Sequence, residues 1–204
     1  MPRVSKQQAA LNRQRIVEVA ANLYKEHGLN GIGVADLMAE AGVTHGGFYG
    51  HFASKDALVA EACSLSFDKS AVNWQEIIQK AAAAKHADPK TTALQEIVKR
   101  YLHKPDHTSL SSICVMPTMA ADAMRQAEQA PLRQAFTAGM RRLGDCLISV
   151  MPDSYSKKKR RERGLASLAL LTGAMALARA CADEELASEI LAATDKALAA
   201  LAAD

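Results

Sequence analysis

An all-α fold of about nine helices is the architecture this sequence predicts, and three observations carry the prediction. Hydrophobic residues make up 49% of the 204-residue chain, with Ala and Leu dominant, while aromatics are 4% and β-branched residues sparse. That mixture favours helix over sheet. Apolar residues recur at helical spacing in segment after segment, and no stretch alternates with the period of two that a half-buried strand requires. Helix starts and stops are also well marked: glycines follow apolar stripes, and Ser, Asp and Pro precede them.

Taken in order, residues 1–8 read as a polar arm. Ile16, Ala20, Leu23 and Tyr24 fall on one face of a first helix, about Ala9–His27, which Gly28 stops. Val34–Ala41 is a short helix turning Val34, Leu37, Met38 and Ala41 inward, and Gly42 ends it. Thr44 is placed to N-cap a third short helix to about Phe52. Ser54 N-caps a longer one, to about Lys85, with Asp56 near its positive end. Asp88-Pro89 starts a helix to about His103, with proline at N1. Helices over about Ile113–Gln126 and Glu128–Met151 follow, Pro131 lying in the first turn of the second. The last third holds two long helices, about Lys157–Ala182 and Asp183–Ala203, with Asp183 as N-cap of the last. The expected domains are 9–69, a three-helix unit with the start of the fourth helix, and 70–204, a larger helical unit.

Composition excludes several classes. The net charge of +3 is too mild to announce a nucleic-acid protein by itself, but its distribution is uneven. Arg3, Lys6, Arg13 and Arg15 all precede the first acid, Glu18, and a second run, SKKKRRER, spans Ser156–Arg163. That run opposes its helix dipole and reads as a solvated helix start or a surface for an acidic partner. The most apolar stretch, Leu165–Ala182, is interrupted by Ser167, Thr172, Gly173 and Arg179 and reads as a buried helix, not a membrane span. With no apolar leader at the start, a cytoplasmic protein is expected. Cys63, Cys114, Cys146 and Cys181 are widely spaced with no zinc-type pairing, so reduced thiols are expected. His103 and His107 are four apart, but Pro105 between them breaks the helix, and no metal site is expected. With no nucleophile–base set, phosphate loop or paired carboxylates, neither an enzyme nor a cofactor is expected.

The segment GVTHGGFYGHF, residues 42–52, concentrates four glycines beside aromatics and histidines in an otherwise alanine-rich chain. Two short helices joined by Gly42-Val43-Thr44 make a helix-turn-helix, whose second helix is a candidate reader of the DNA major groove. Phe48 and Phe52 share one face and, with Val43, can anchor it against Ile16, Leu23, Leu37 and Met38. Thr44, His45, Gly47, Tyr49, Gly50 and His51 are left on the other faces. Gly46 and Gly47 leave the backbone bare for close approach, Tyr49, His51 and Lys55 can bond phosphates or base edges, and the basic arm Arg3–Arg15 can add phosphate contacts. Such helix pairs also occur in proteins that touch no DNA, so spacing alone leaves both readings open.

The segment NRQRIVEVAANLYKEHGLNGIGVADLMAEAGVTHGGFYGHFASKDALVAEAC, about Asn12–Cys63, resembles the DNA-binding domain of TetR/AcrR-family transcriptional regulators nearly without gaps. The resemblance implies a homodimeric repressor whose N-terminal domains occupy successive major grooves of a near-palindromic DNA operator, and whose C-terminal helices bind a small-molecule effector and form the dimer. Carried over by position, it implies DNA contacts at Thr44, Tyr49, His51 and Lys55, with His45 and Gly47 at variable positions where specificity resides. Gly50 departs from the pattern, since family members usually carry a larger side chain there, and Gly33 stands where Ser or Thr often caps the second helix. The alternative is an all-α ligand-binding or stress protein that does not bind DNA.

Beyond residue 68 the resemblance thins. SSICVMPTMAADAMRQ resembles a "GC…A…A" segment from a branch of the family whose reader helix also carries THGGFY, and the final helices resemble the dimerisation pair. Leu168, Leu171 and Met175 on one helix, with Ile190 and Leu198 on the next, make apolar stripes suited to a four-helix interface between subunits, or to an intrachain core. Trp74, Cys114, Met116, Met119, Phe136 and Met140 are the candidate lining of an apolar effector pocket, with ordinary core packing as the alternative. Cys114, near a helix start, would suit an electrophilic or oxidising effector if its thiol were activated, and an inert buried thiol if not.

Overall fold

The computed structural model describes residues 6–84, 88–103 and 114–203. Among them are nine α-helices and no strand: α1 (Lys6–His27), α2 (Val34–Glu40), α3 (Phe48–His51), α4 (Lys55–Ala83), α5 (Pro89–Leu102), α6 (Val115–Met124), α7 (Pro131–Ser149), α8 (Lys157–Ala180) and α9 (Glu184–Ala203). The expected all-α fold is therefore observed. Most of the expected punctuation is present. Gly28 and Gly42 adopt φ of +68° and +69°, which a side chain would resist. Asp88 caps α5 through the Thr91 amide, and Pro89 fills its first position. Ser54 accepts from the Ala57 amide and Asp183 from those of Glu185 and Leu186. The expected single helix from Thr44 to Phe52 is instead a 3₁₀ turn, His45–Gly47, followed by the four residues of α3. Two consecutive glycines do not hold α-helical backbone in place.

Two compact units divide the chain: 1–67 with 109–139, and 68–108 with 140–204. This partition differs from the expected 9–69 and 70–204, because α6 and the first half of α7 join the N-terminal unit. In that unit Ile16, Tyr24, Leu37, Met38, Phe48, Leu58 and Phe67 are almost wholly buried. Phe67 meets Phe136 edge-on, with ring centroids 5.4 Å apart. Gly139 permits this packing, since a Cβ there would lie 2.1 Å from the Phe67 ring. In the other unit α8 and α9 pack along each other, and α5 packs on both. Gly164 lets α8 approach α7 closely, as a Cβ there would stand 2.9 Å from the Ile148 backbone. His103 contacts Asp195 at 3.2 Å, tying the end of α5 to α9, while His107 lies outside the described residues.

Tyr24 carries one polar atom into the N-terminal core, and its hydroxyl has no hydrogen-bond partner. Burial first, and the Asp56 carboxylate second, push its pKa from the ordinary 10.0 up to about 12. The unfolded chain therefore ionises first as pH rises. The contribution is flat below pH 10 and becomes a loss between pH 10 and about 12, worth about 3 kcal/mol when complete. A Tyr24→Phe variant is expected to match or exceed the parent's stability at neutral pH, because it removes an unpaired buried hydroxyl. It should also lack that part of the alkaline loss, with urea melts of both proteins across pH 9–12 as the check.

Candidate nucleic-acid interface

The turn that presents α3 is built by backbone hydrogen bonds. The Val43 amide donates to the Met38 carbonyl at 3.0 Å and the Gly42 amide to the Ala39 carbonyl at 2.9 Å. This is the two-bond closure of a helix C-terminus that a left-handed residue makes possible. The chain then enters the 3₁₀ turn, closed by the Gly47 amide on the Thr44 carbonyl at 3.0 Å. Thr44 occupies the N-cap position, but its side chain makes no capping bond, so its exposed hydroxyl is available to a partner.

Phe48 is the anchor. It is 1% exposed and touches Phe52, itself buried, with ring centroids 5.7 Å apart. The neighbouring Tyr49 points the other way and is 77% exposed, braced edge-on by Phe48 at 5.2 Å. Burying one large aromatic contributes about 2–3 kcal/mol. Leaving the adjacent one in water forgoes a similar amount and keeps its ring open to a partner. Around Tyr49, His45 and Gly50 are exposed, and His51 is half-buried. A Cβ at Gly46 or Gly50 would meet nothing within 4 Å, so the surface there is open backbone. No acidic residue occurs between Ala41 and Lys55. Among the described residues, no group of three or more His, Cys, Asp or Glu is placed to hold a metal ion.

The predicted contacts Thr44, His45, Gly47, Tyr49 and His51 thus share one turn and one short helix. Lys55 does not join them: its Nζ donates to the carbonyls of Leu29 at 3.0 Å and Ile32 at 3.2 Å, which accounts for its half-buried position. The basic arm also divides. Arg13 pairs with Glu61 and stacks over the Phe52 ring at 4.8 Å, a structural use. Arg15 brings its guanidinium beside Gly42, 3.3 Å from where a Cβ would stand. In sequence Arg15 is one of a run of cations, and only the fold brings it beside Gly42. Arg3 lies outside the described residues.

The effector-pocket candidates do not gather in one unit. Cys114, Met116, Met119 and Phe136 belong to the N-terminal unit, Trp74 and Met140 to the other. Met116, Met119, Phe136 and Trp74 are buried as core residues, and Cys114 sits half-buried at the N-cap of α6. The candidates of the dimer stripe divide. Leu168, Leu171, Met175 and Leu198 are buried within the protomer, because their faces of α8 and α9 pack inward. Ile190 alone of the five lines the open apolar groove on the opposite faces, together with Ala169, Leu170, Gly173 and Leu177. The basic run at the start of α8 is partly spent on local structure: Arg160 pairs with Asp153, and Lys159 stands 3.9 Å over the Tyr155 ring. No helix among the described residues is long and apolar enough to cross a membrane.

Residues 16–62 match the family described as bacterial regulatory proteins, tetR family. The HTH-type transcriptional regulator AcrR of Shigella flexneri is 38% identical over 66 residues, 32% of this chain and 31% of AcrR. The HTH-type transcriptional repressor KstR2 of Mycolicibacterium smegmatis is 30% identical over 76 residues, 37% of each chain. The chain thus spans about a third of the length of the curated relatives it matches. The crystal structure of a TetR-family transcriptional regulator from Agrobacterium tumefaciens superposes with a TM-score of 0.71 at 19% identity, over 92% of this chain and 97% of that one. The helix-turn-helix formed by residues 16–62 is therefore of the tetR type, and the chain as a whole has the fold of a solved TetR-family regulator.

Proposed function

We propose that this protein is a sequence-specific DNA-binding transcriptional regulator, a cytoplasmic repressor of the TetR kind that a small-molecule effector releases from its operator. The observation that carries the reading is the pair Phe48 and Tyr49. One is locked in the core and the other is held 77% in water on a helix bare of acids, inside the segment that matches the tetR family. Thr44, His45, Gly47 and His51 extend that surface, and Arg15 flanks the turn with a charge suited to a phosphate. The THGGFY stretch further suggests the branch of the family whose reader helix carries it.

The protein acts as a homodimer on a near-palindromic site. Support comes from the outward faces of α8 and α9, where Leu177 is 59% and Leu186 47% exposed, and where small residues line the groove beside Leu170 and Ile190. A single chain gains nothing by wetting such a face, whereas two copies bury it. Two copies then hold their reader helices one turn of DNA apart, about 34–36 Å. An effector that favours another separation releases the DNA in proportion to its differential affinity. Cys114, at the N-cap of α6, is the group through which an electrophilic or oxidising effector would act.

Four experiments test this reading. Binding to the DNA flanking its own gene should be specific and fall steeply with salt. Tyr49→Ala should lower that affinity about tenfold or more with the circular dichroism unchanged; unaltered affinity would reassign the reader, and binding without sequence preference would favour an all-α protein with no operator. Leu177→Glu should convert the sedimenting species from dimer to monomer, and a persistent dimer would move the interface elsewhere. Cys114→Ser should abolish release by an oxidant or electrophile; normal release would leave the thiol a packing residue.

A further inference from the structure

The loop between α1 and α2, residues 28–33, is gripped at a single residue from two directions. The Leu29 N–H donates to Asp122 Oδ2 of α6 at 3.2 Å. The Leu29 carbonyl accepts from Lys55 Nζ of α4 at 3.0 Å, and the same ammonium donates to the Ile32 carbonyl at 3.2 Å. All four residues belong to the N-terminal unit. The Asp122 side chain is only 14% exposed, and its other oxygen is steadied by Arg125 at 3.6 Å. Its Oδ2 would lie 3.6 Å from a Cβ at Gly28, whose left-handed conformation turns the chain toward it. The Leu29 side chain is itself buried. A carboxylate on the amide and an ammonium on the carbonyl of one residue are each charge-assisted bonds, stronger than neutral ones.

We propose that Lys55 and Asp122 are positioning residues for the DNA reader, opposed charges that clamp the α1–α2 loop, and that Lys55 serves in this way instead of as a phosphate contact. The consequence passes from the loop to α2, which begins immediately after it, and from α2 to the 3₁₀ turn His45–Gly47, against which it packs. The two carbonyls are neutral and leave the ammonium its charge, but they take two of its three donors and hold it at the loop, so a single N–H remains for any other partner. The inference rests on the DNA-binding reading above, but the clamp has a readout that needs no DNA.

The test uses the full chain and two measurements: affinity for the DNA flanking its gene as a function of salt, and amide hydrogen exchange over residues 28–33. Lys55→Met is expected to speed exchange in the loop about tenfold and to weaken specific binding about tenfold, while leaving the slope of log affinity against log salt as in the parent. A lost phosphate contact would lower that slope by about one. Lys55→Arg keeps the charge but replaces a compact ammonium with a rigid fork that does not fit the two carbonyls, so it should not restore the loop; a phosphate contact would tolerate it. Asp122→Ala should loosen the loop similarly, and Asp122→Asn, which keeps an accepting oxygen, should recover most of the protection. Parental exchange in Lys55→Arg and Asp122→Ala, or a lowered salt slope with unchanged exchange in Lys55→Met, overturns the proposal. If Lys55→Met does not fold, the arginine and Asp122 variants carry the same comparison. If the parent binds no DNA specifically, the functional reading fails by itself and the exchange rates still decide the clamp.

Discussion

A helix of four residues has no stability of its own, because the cost of fixing the first turn is never recovered by propagation. Whatever α3 does, it does because Phe48 is held in the N-terminal core. The rest of that unit can be understood as the means of holding it. Phe48, Leu37 and Met38 are all buried in that unit, α2 is terminated by Gly42 in a left-handed conformation, and the two backbone bonds at that terminus fix the angle at which the chain leaves for α3. Tertiary packing, not helix propensity, determines the shape of the surface offered to a partner, which is why three glycines are tolerated there at roughly 1 kcal/mol each.

Legibility in the sequence followed the range of the interactions involved. Features decided within one helical turn were readable: Asp88 and Asp183 as caps, Pro89 at the first position of α5, Gly28 and Gly42 as stops. The tetR-type segment was readable through its resemblance in contiguous sequence, which the match over residues 16–62 supports. Three features were not. The 3₁₀ turn at His45–Gly47 depends on how far two adjacent glycines relax the backbone. Lys55 stands at a position where the resemblance implies a DNA contact, and only the fold brings the Leu29 and Ile32 carbonyls within 3.2 Å of it. On α8, Leu168, Leu171 and Met175 are as apolar as Leu170 and Leu177, and hydrophobicity alone does not tell which set faces inward.

That last ambiguity has a physical origin. A helix that packs on its own chain along one face and offers an apolar groove on the other is apolar most of the way around, so its periodicity blurs. Small residues resolve the two faces once the packing is known. Gly164 admits α7 on the inner side, while Gly173, with nothing within 4 Å of its would-be Cβ, lies along the outer groove. The effector-pocket candidates are divided between the two units, and their residue types do not separate core from cavity. Methionine and aromatic side chains fill irregular cores as readily as they line cavities, and here Met116, Met119 and Phe136 are used to complete the N-terminal unit.

The open space at Gly46 and Gly50 bears on how such a surface can diversify. Most positions in a short, tightly anchored element are constrained twice, by the partner outside and by the core inside. At these two the inner constraint is absent: neither has a positive φ, and a side chain at either would meet no atom of its own chain within 4 Å. Substitutions there are filtered by the partner alone, and replacing glycine with almost any other residue would strengthen the local helix slightly rather than weaken it. The barest part of this surface is therefore also the part that can change at least cost to the fold.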